Sequence, residues 1–368
     1  MKFSIQREAI LKPLQTITGV VERRQTLPIL SNILLSANGQ GLSLTATDLE
    51  VEMIARLSMD ITEGGDITLP ARKMVDICKA LPDGAVIDLL FDAEKERATL
   101  KSGRSRFNLT TLPVTEFPNI DEVKGVFSFD VPQAVLKHLI DKTSFAMAQQ
   151  DVRYYLNGLM LEVDSGVIRT VATDGHRLSV CEHAADVSPG EKIQVILPRK
   201  GVLELSRLLA EEDAPAHISV GNNHICVTLN EYTFTSKLID GKFPDYQRVI
   251  PRNSDKLVTT DRERLRQALV RTSILSNEKY RGIRIHLENG LMQAQANNPE
   301  MEEAEEEIEV DYSGSELDIG FNVGYLLDAL GVINTAQVSI AFGDANSSCV
   351  IQPDGESGCT YVVMPMRL

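Results

Sequence analysis

The chain has 368 residues, 43% of them hydrophobic, and a formal net charge of −15. That length exceeds what one hydrophobic core usually serves, so two or three domains are expected; the absence of any apolar run near membrane-span length, or of an arginine-flanked apolar leader, predicts a soluble cytoplasmic protein with no membrane contact. Spread evenly, this much acid would exclude nucleic acid as a partner, because polyanion binding rests on Lys and Arg set against phosphates.

In chain order, the spacing of Ile10, Leu14, Ile17 and Val21 predicts a first helix, and the alternation of Leu42, Leu44 and Ala46 with polar neighbours predicts a strand covered on one face. That strand runs into a "TD" turn in "LSLTATDLEV" (42–51). A helix follows in "LPARKMVDICKALP" from Leu69, and a closing strand in "FNLTTLPVTEFPNI" from Phe107. The succession then returns. "IRTVATDGHRLSV" (168–180), "LPRKGVLELSRLLA" from Leu197 and "FTSKLIDGKFPDY" from Phe234 form a second copy; "LMQAQANNPE" (291–300), "GFNVGYLLDALGVI" from Gly320 and "YVVMPMRL" from Tyr361 form a third.

Asp48 and Asp174 lie 126 residues apart, Asn298 takes the aspartate's place 124 residues later, and Phe107, Phe234 and Tyr361 are spaced by 127. A period this long is a whole domain rather than a solenoid repeat. Three domains are expected, at 1–125, 126–253 and 254–368, in an α+β fold with antiparallel sheets.

The stretch "VATDGHRL" (171–178) poses a chemical question, since Asp174 and His176 could be the acid and base of a hydrolase. The repeat favours a structural role: Asp174 has a counterpart in Asp48, whereas His176 corresponds to Glu50 and Glu300. A turn aspartate accepting backbone N–H groups explains the recurrence without catalysis. No G-x-S-x-G, Gly-rich phosphate loop or metal-ligand spacing accompanies it. The five cysteines, Cys78, Cys181, Cys226, Cys349 and Cys359, form no C-x-x-C pair and are odd in number, so they are expected to be reduced and mostly buried. No metal and no cofactor is expected.

The charge is not spread evenly. Helices predicted at 6–24, 70–80, 132–153, 198–209, 261–281 and 321–333 carry +2, +2, +1, +2, +3 and −1, a total of +9, which leaves −24 for the rest. A closed ring with helices lining the hole and acidic sheets on the rim would use this segregation to surround a duplex without reading its sequence. The chain's two ends are complementary: Lys101, Arg104 and Arg106 cluster near the end of the first copy, and seven glutamates lie between Glu300 and Glu309 in the third. Opposite charges of this kind suit a head-to-tail contact, with Phe107 and Leu109 meeting Ile274 and Leu275 at its apolar centre.

Along its whole length the sequence resembles the β subunit family of bacterial DNA polymerase III, the sliding clamps. The segments that carry the likeness include "MKFSIQRE", "TLPILSNILL", "SGRSRFNLTTLP", "QDVRYYLNGLMLE", "VATDGHRL", "ILSNEKYRGIRI", "NNPE" and "YVVMPMRL". The resemblance implies three tandem copies of the DNA-clamp domain, with antiparallel sheets outside and two helices per domain inside, closing as a head-to-tail homodimer into a six-domain ring around double-stranded DNA. It implies a non-catalytic processivity factor, tethering the polymerase III catalytic subunit, the clamp loader, and other polymerases and repair proteins that carry clamp-binding peptides.

By the same resemblance, the peptide pocket comprises Leu156, Thr173, Gly175, His176, Arg177, Leu178, Pro244, Arg248, Val249, Val362, Val363, Met364, Pro365, Met366 and Arg367, with Asn322 and Tyr325 adjoining. Arg24, Arg72, Lys73, Gln150, Tyr154, Tyr155, Arg199 and Lys200 are implied to face DNA. Lys73, Arg104, Arg106, Phe107 and Leu109 are expected to meet Ile274, Leu275, Glu300, Glu303 and Glu306 across the dimer contact. A sequence-specific regulator is disfavoured by the charge balance and by the lack of a recognition-helix motif.

Overall fold

The structure, a computed structural model, describes residues 1–21, 27–118, 120 and 125–367. The first copy of the repeat runs β1 (Lys2–Gln6), α1 (Arg7–Ile17), β2 (Asn32–Asn38), β3 (Gly41–Thr47), β4 (Val51–Leu57), β5 (Gly65–Pro70), α2 (Ala71–Ala80), β6 (Val86–Asp92), β7 (Arg97–Ser102) and β8 (Ser105–Thr110). The second runs β9 (Phe127–Pro132), α3 (Gln133–Thr143), β10 (Gly158–Asp164), β11 (Val167–Thr173), β12 (Arg177–Ala184), β13 (Ile193–Pro198), α4 (Arg199–Leu208), β14 (Pro215–Val220), β15 (His224–Thr228) and β16 (Tyr232–Lys237). The third runs β17 (Lys256–Asp261), α5 (Arg262–Ser273), β18 (Gly282–Glu288), β19 (Leu291–Asn297), β20 (Glu303–Glu309), β21 (Leu317–Asn322), α6 (Val323–Val332), β22 (Gln337–Phe342), β23 (Cys349–Pro353) and β24 (Cys359–Val363). The order of elements is the same in all three.

Two compact units result, one of Met1–Ala134 with Leu203–Leu238, the other of Val135–Val202 with Ile239–Leu368. The first unit holds an eight-stranded sheet, β5-β2-β3-β4-β16-β15-β14-β9, and a four-stranded sheet, β1-β6-β7-β8. The second holds β13-β10-β11-β12-β24-β23-β22-β17 and β20-β19-β18-β21. Each eight-stranded sheet is two four-stranded sheets from successive copies, joined edge to edge at β4–β16 in one unit and at β12–β24 in the other. β20, the counterpart of β4 and β12, and β8, the counterpart of β16 and β24, lie at the edges of the two four-stranded sheets.

Alternation drives these strands as expected: in β3, Leu42, Leu44 and Ala46 are buried while Ser43 and Thr45 are partly exposed. Ile10, Leu14 and Ile17 of α1 are buried, and α1 packs on β3, β4 and α2. α2, α4 and α6 fall within two residues of the predicted bounds, whereas α1, α3 and α5 begin where the sequence predicts but end sooner. After Ile17 the chain tightens into i→i+3 bonds, Val20 N–H donating to Ile17 O (3.2 Å) and Val21 N–H to Thr18 O (3.2 Å). Thr143 closes α3 with its hydroxyl on Leu139 O (2.7 Å), and Ser273 and Ser276 divert hydroxyls to Val270 O and Ser273 O (both 2.7 Å) beyond α5. Over the observed bounds the helices carry +1, +2, +1, +2, +3 and −1, a total of +8, so the segregation of charge persists.

The expected reduced state of all five cysteines requires correction. Cys181 and Cys359 are register partners on β12 and β24 and form a disulfide, whereas Cys78, Cys226 and Cys349 are free. Burial pushes the Cys78 thiol up to about 11 and that of Cys349 to about 12, so neither is a thiolate near neutrality. Among the described residues no helix is long and apolar enough to cross a membrane.

Candidate functional site

The turn before β12 is built by Asp174. Its Oδ1 accepts the N–H groups of His176 (2.9 Å) and Arg177 (3.0 Å), and its Oδ2 accepts Arg177 Nε (3.1 Å). Asp48 does the same in the first copy, accepting from Glu50 (2.9 Å) and Val51 (2.7 Å). With its acceptors committed in this way, Asp174 is a turn-former, and the hydrolase reading loses its acid–base pair. The turn requires a left-handed residue, Leu49 in the first copy (φ 80°) and Gly175 in the second (φ 87°). Glycine adopts this conformation without a Cβ penalty, and a Cβ on Gly175 would come within 3.0 Å of the Arg153 guanidinium.

Beside this turn lies a cavity of about 220 Å³, lined by Arg153, Tyr155, Leu156, Thr173, Gly175, Arg177, Leu178, Pro244, Val249, Val362 and Met364. Leu178 and Val362 are paired across β12–β24 and form its floor. They also belong to the buried cluster of Met160, Val171, Val180, Ile196, Phe243 and Tyr246, so the floor is the outer surface of the core. A void this small, apolar below and cationic at its rim, suits one or two hydrophobic side chains rather than a whole drug-sized ligand.

Arg177 is held on every side. Nη2 donates to Phe145 O (2.8 Å), Nη1 pairs with Asp328, and the guanidinium lies 4.7 Å from the Tyr325 ring centroid and 5.2 Å from that of Phe145. Its role is to brace α6 and the 3₁₀ turn at Ser144–Ala146 against the turn. Arg153 is more exposed and is clamped by Asp151 through Nε (3.0 Å) and Nη2 (2.9 Å). Those hydrogen bonds hold the Asp151 carboxyl down at about 2.

His176 stacks on Tyr325, with centroids 6.2 Å apart. Asn322 caps α6 by accepting Gly324 N–H (2.8 Å). Val363 is buried in the ladder. Beyond β24, Met364 N–H donates to His176 O (2.9 Å) and Met366 N–H to Gly320 O (2.8 Å), anchoring the tail that carries Pro365 and exposed Arg367. Arg248 is exposed and paired with Asp245 (2.8 Å).

The cavity therefore gathers nine of the sequence-identified pocket residues and adds Arg153 and Tyr155. Tyr155, expected on the DNA side, lines this cavity and packs against the core cluster. Arg153 and Tyr155 come from an irregular segment with no periodicity to mark them.

Arg24 lies outside the described residues. Arg72 and Lys73 are exposed in the first turn of α2, and Arg199 and Lys200 begin α4 at the equivalent place. Neither first turn contains an acidic residue. Cations at a helix N-terminus oppose the macrodipole, each costing roughly 0.3–1 kcal/mol, so the repeated placement is one that an external anion relieves. Gln150 and Tyr154 are exposed, Gln150 with a left-handed backbone (φ 55°).

At the sheet edges, Arg104 and Arg106 are exposed, Phe107 is partly buried and Leu109 is buried. Ile274 is 74% exposed, an unusual placement for an isoleucine unless it is covered by a partner, and Leu275 is half-buried. Glu300 and Glu303 are exposed; Glu306 is bound within the chain by Arg271 (2.6 and 2.8 Å).

Comparison with known proteins gives this arrangement its class. Family profiles for the DNA polymerase III beta subunit match throughout, the N-terminal domain over residues 1–121, the central domain over 130–245 and the C-terminal domain over 247–367. The Beta sliding clamp of Pseudomonas aeruginosa is 59% identical and that of Escherichia coli K12 49%, each with both chains covered in full. A crystal structure of the P. aeruginosa sliding clamp with ligand superposes at a TM-score of 0.97 with 58% identity, and one of the Caulobacter crescentus clamp at 0.95 with 42%, covering all of this chain and 100% and 99% of theirs. The P. aeruginosa clamp has also been solved bound to griselimycin, again at a TM-score of 0.97. The chain is thus a replication sliding clamp by fold, built of three tandem clamp domains. It belongs to the DNA polymerase III beta subunit family.

Proposed function

We propose that two copies of this chain close head to tail around duplex DNA, by pairing β20 of one with β8 of the other, and that the cavity beside β12 takes hydrophobic peptides from the polymerase, the clamp loader and repair proteins. The observation that carries this reading is the repetition of the edge joint. The β4–β16 joint sets Met53 opposite Phe234, and the β12–β24 joint sets Ser179 opposite Tyr361. Phe107 is the third member of that aromatic series.

Its expected partner follows from the sheet. Ala46 pairs with Met53, Ala172 with Ser179 and Ala296 with Ala304, so Ala304 is the third member of the other series. The turn before β20 is one residue longer than its counterparts, since Asn298 N–H bonds Glu302 O where Asp48 N–H bonds Val51 O.

Setting Phe107 opposite Ala304 places Arg106 opposite Glu305 and Arg104 opposite Glu307. Arg106, Glu305 and Glu307 point away from the core, and Arg104 is exposed in the turn before β8, while Phe107, Leu109, Ala304 and Ile308 point toward the core. A slip of one residue would put Phe107 opposite Glu303 and bring apolar and charged faces together. Under this register Ser105 faces Glu306, the position equivalent to Cys359 facing Cys181.

Helix charge and the basic first turns of α2 and α4 support a sequence-blind contact with phosphates. Retention on DNA then comes from topology, and the tethered polymerase stays near its primer end by effective concentration. No catalytic step is assigned to the chain, and the domain boundaries are placed near residues 125 and 253.

Ser105→Cys with Glu306→Cys should cross-link under mild oxidation into a covalent dimer, while Ser105→Cys with Glu305→Cys should not. Equal cross-linking of both pairs, or a solution mass of one chain rather than about 81 kDa, twice 40.6 kDa, would refute the closure. Independently, clamps loaded on a nicked circle should be lost rapidly once the circle is linearised; unchanged retention would refute encirclement.

A further inference from the structure

Outside the cavity, three soft ligand atoms converge at the far end of the β12–β24 ladder. Cys181 and Cys359 face each other in register, and His138 reaches them from α3 with Nε2 4.0 Å from Cys359 Sγ. The three ligand atoms all lie within 4.8 Å of one another. Around a tetrahedral zinc, bonds of about 2.3 Å to sulfur and about 2.0 Å to nitrogen set neighbouring donors roughly 3.5–3.8 Å apart. The cluster is therefore within a small side-chain rotation of a coordination shell once the disulfide is opened.

The two cysteines are buried and the histidine is exposed, so ions can reach the site from the histidine side. Two thiolates would neutralise a divalent cation, which offsets the nearby Lys142, whose ammonium is already engaged by Val332 O. Water completes the shell.

We propose that reduced Cys181 and Cys359, with His138, bind one Zn²⁺ per chain, so that this joint is clipped either by a disulfide or by a thiophilic metal. A trialkylphosphine opens the disulfide by taking the oxygen of one water to become the phosphine oxide, and each sulfur receives one of that water's hydrogens. Zn²⁺ then displaces the two thiol protons and accepts an electron pair from each sulfur and from the imidazole.

The test uses the full-length protein, reduced with the phosphine, freed of it under anaerobic conditions and titrated with Co²⁺ as a spectroscopic probe. The expected result is one equivalent of Co²⁺ with a thiolate-to-cobalt charge-transfer band, displaced by Zn²⁺ and absent from the oxidised protein. His138→Ala should weaken binding by about tenfold or more, and Cys181→Ser with Cys359→Ser should abolish the band. No band in the reduced protein, or a band untouched by either variant, would overturn the proposal. A measurement on the unmutated chain guards against misfolded variants: Zn²⁺ should slow alkylation of Cys181 and Cys359 while leaving Cys226 unaffected, and equal alkylation with and without Zn²⁺ would overturn the proposal equally.

Discussion

The two edge joints, β4–β16 and β12–β24, share a ladder and a turn, yet the chemistry at their ends differs. At the second, Leu178 faces Val362 and forms an apolar cavity floor; at the first, the corresponding pair is Glu52 facing Thr235. Gly175 stands where the first joint has Leu49, and His176 and Arg177 stand where it has Glu50 and Val51. Beneath the second joint, buried Glu162 meets Arg169, Lys192 and Gln194, with the Tyr246 hydroxyl nearby (3.4 Å); the corresponding pair at the first is Ser36 and Ser43. One backbone scaffold has thus been given two surfaces, and only the second is apolar enough to hold a side chain. Function here resides in a handful of substitutions on a repeated frame.

The sharpest way to break the contrast is to give the second joint the polarity of the first. Leu178→Glu should abolish peptide binding, a loss of at least a hundredfold by fluorescence titration, and destabilise the fold by several kcal/mol because a carboxylate replaces a fully packed side chain. Glu162→Gln comes next, with a loss of roughly 3 kcal/mol in denaturant unfolding as Arg169 and Lys192 lose their buried partner.

Burial raises the Glu162 carboxyl, but hydrogen bonds from Lys192 and Gln194, with the charges of Lys192 and Arg169, outweigh it and hold the group below its ordinary value. A depressed folded value contributes stability above the unfolded carboxylate range that is lost as pH falls through the folded value. The parent and Glu162→Gln should therefore converge in stability in acid, and a constant gap would contradict the assignment.

Arg104→Glu with Arg106→Glu, which sets like charges across the proposed intermolecular joint, should weaken dimerisation by about tenfold or more in sedimentation equilibrium, less so at high salt. The smallest effect is expected at Glu52, whose carboxyl is raised by burial, opposed by a hydrogen bond from the Ile120 backbone. A raised folded value stabilises the protonated form, so that contribution is present in acid and lost as pH rises through the folded value. Glu52→Gln should consequently gain a little stability at neutral pH, and the gain should vanish at acid pH.

Much of this was legible in the residues because it repeats. The helices, the alternating strands, the turn aspartates and the closing aromatic of each copy all recur at nearly constant spacing, and local periodicity is enough to place them. The joints themselves were hidden. Cys181 and Cys359 stand 178 residues apart and in different copies, so nothing short of the strand pairing brings them together. Arg177 reads as a ligand-holding cation until Asp328, Tyr325 and Phe145 are seen to consume it. Arg153 and Tyr155 enter the cavity from a segment with no periodicity at all. The extra residue before β20, seen in the Asn298–Glu302 backbone bond, shifts the register proposed for the third joint by one, which charge patterning alone could not have revealed.

The edge strands carry one further consequence. β8 and the turn before it display Arg106 and Arg104 and no acid, while β20 displays glutamates and no base. Neither margin can template a copy of itself, because like would lie against like. The polypeptide is thereby steered away from the homotypic stacking that turns unprotected strand margins into fibres, while the proposed pairing of opposite ends sets unlike charges together.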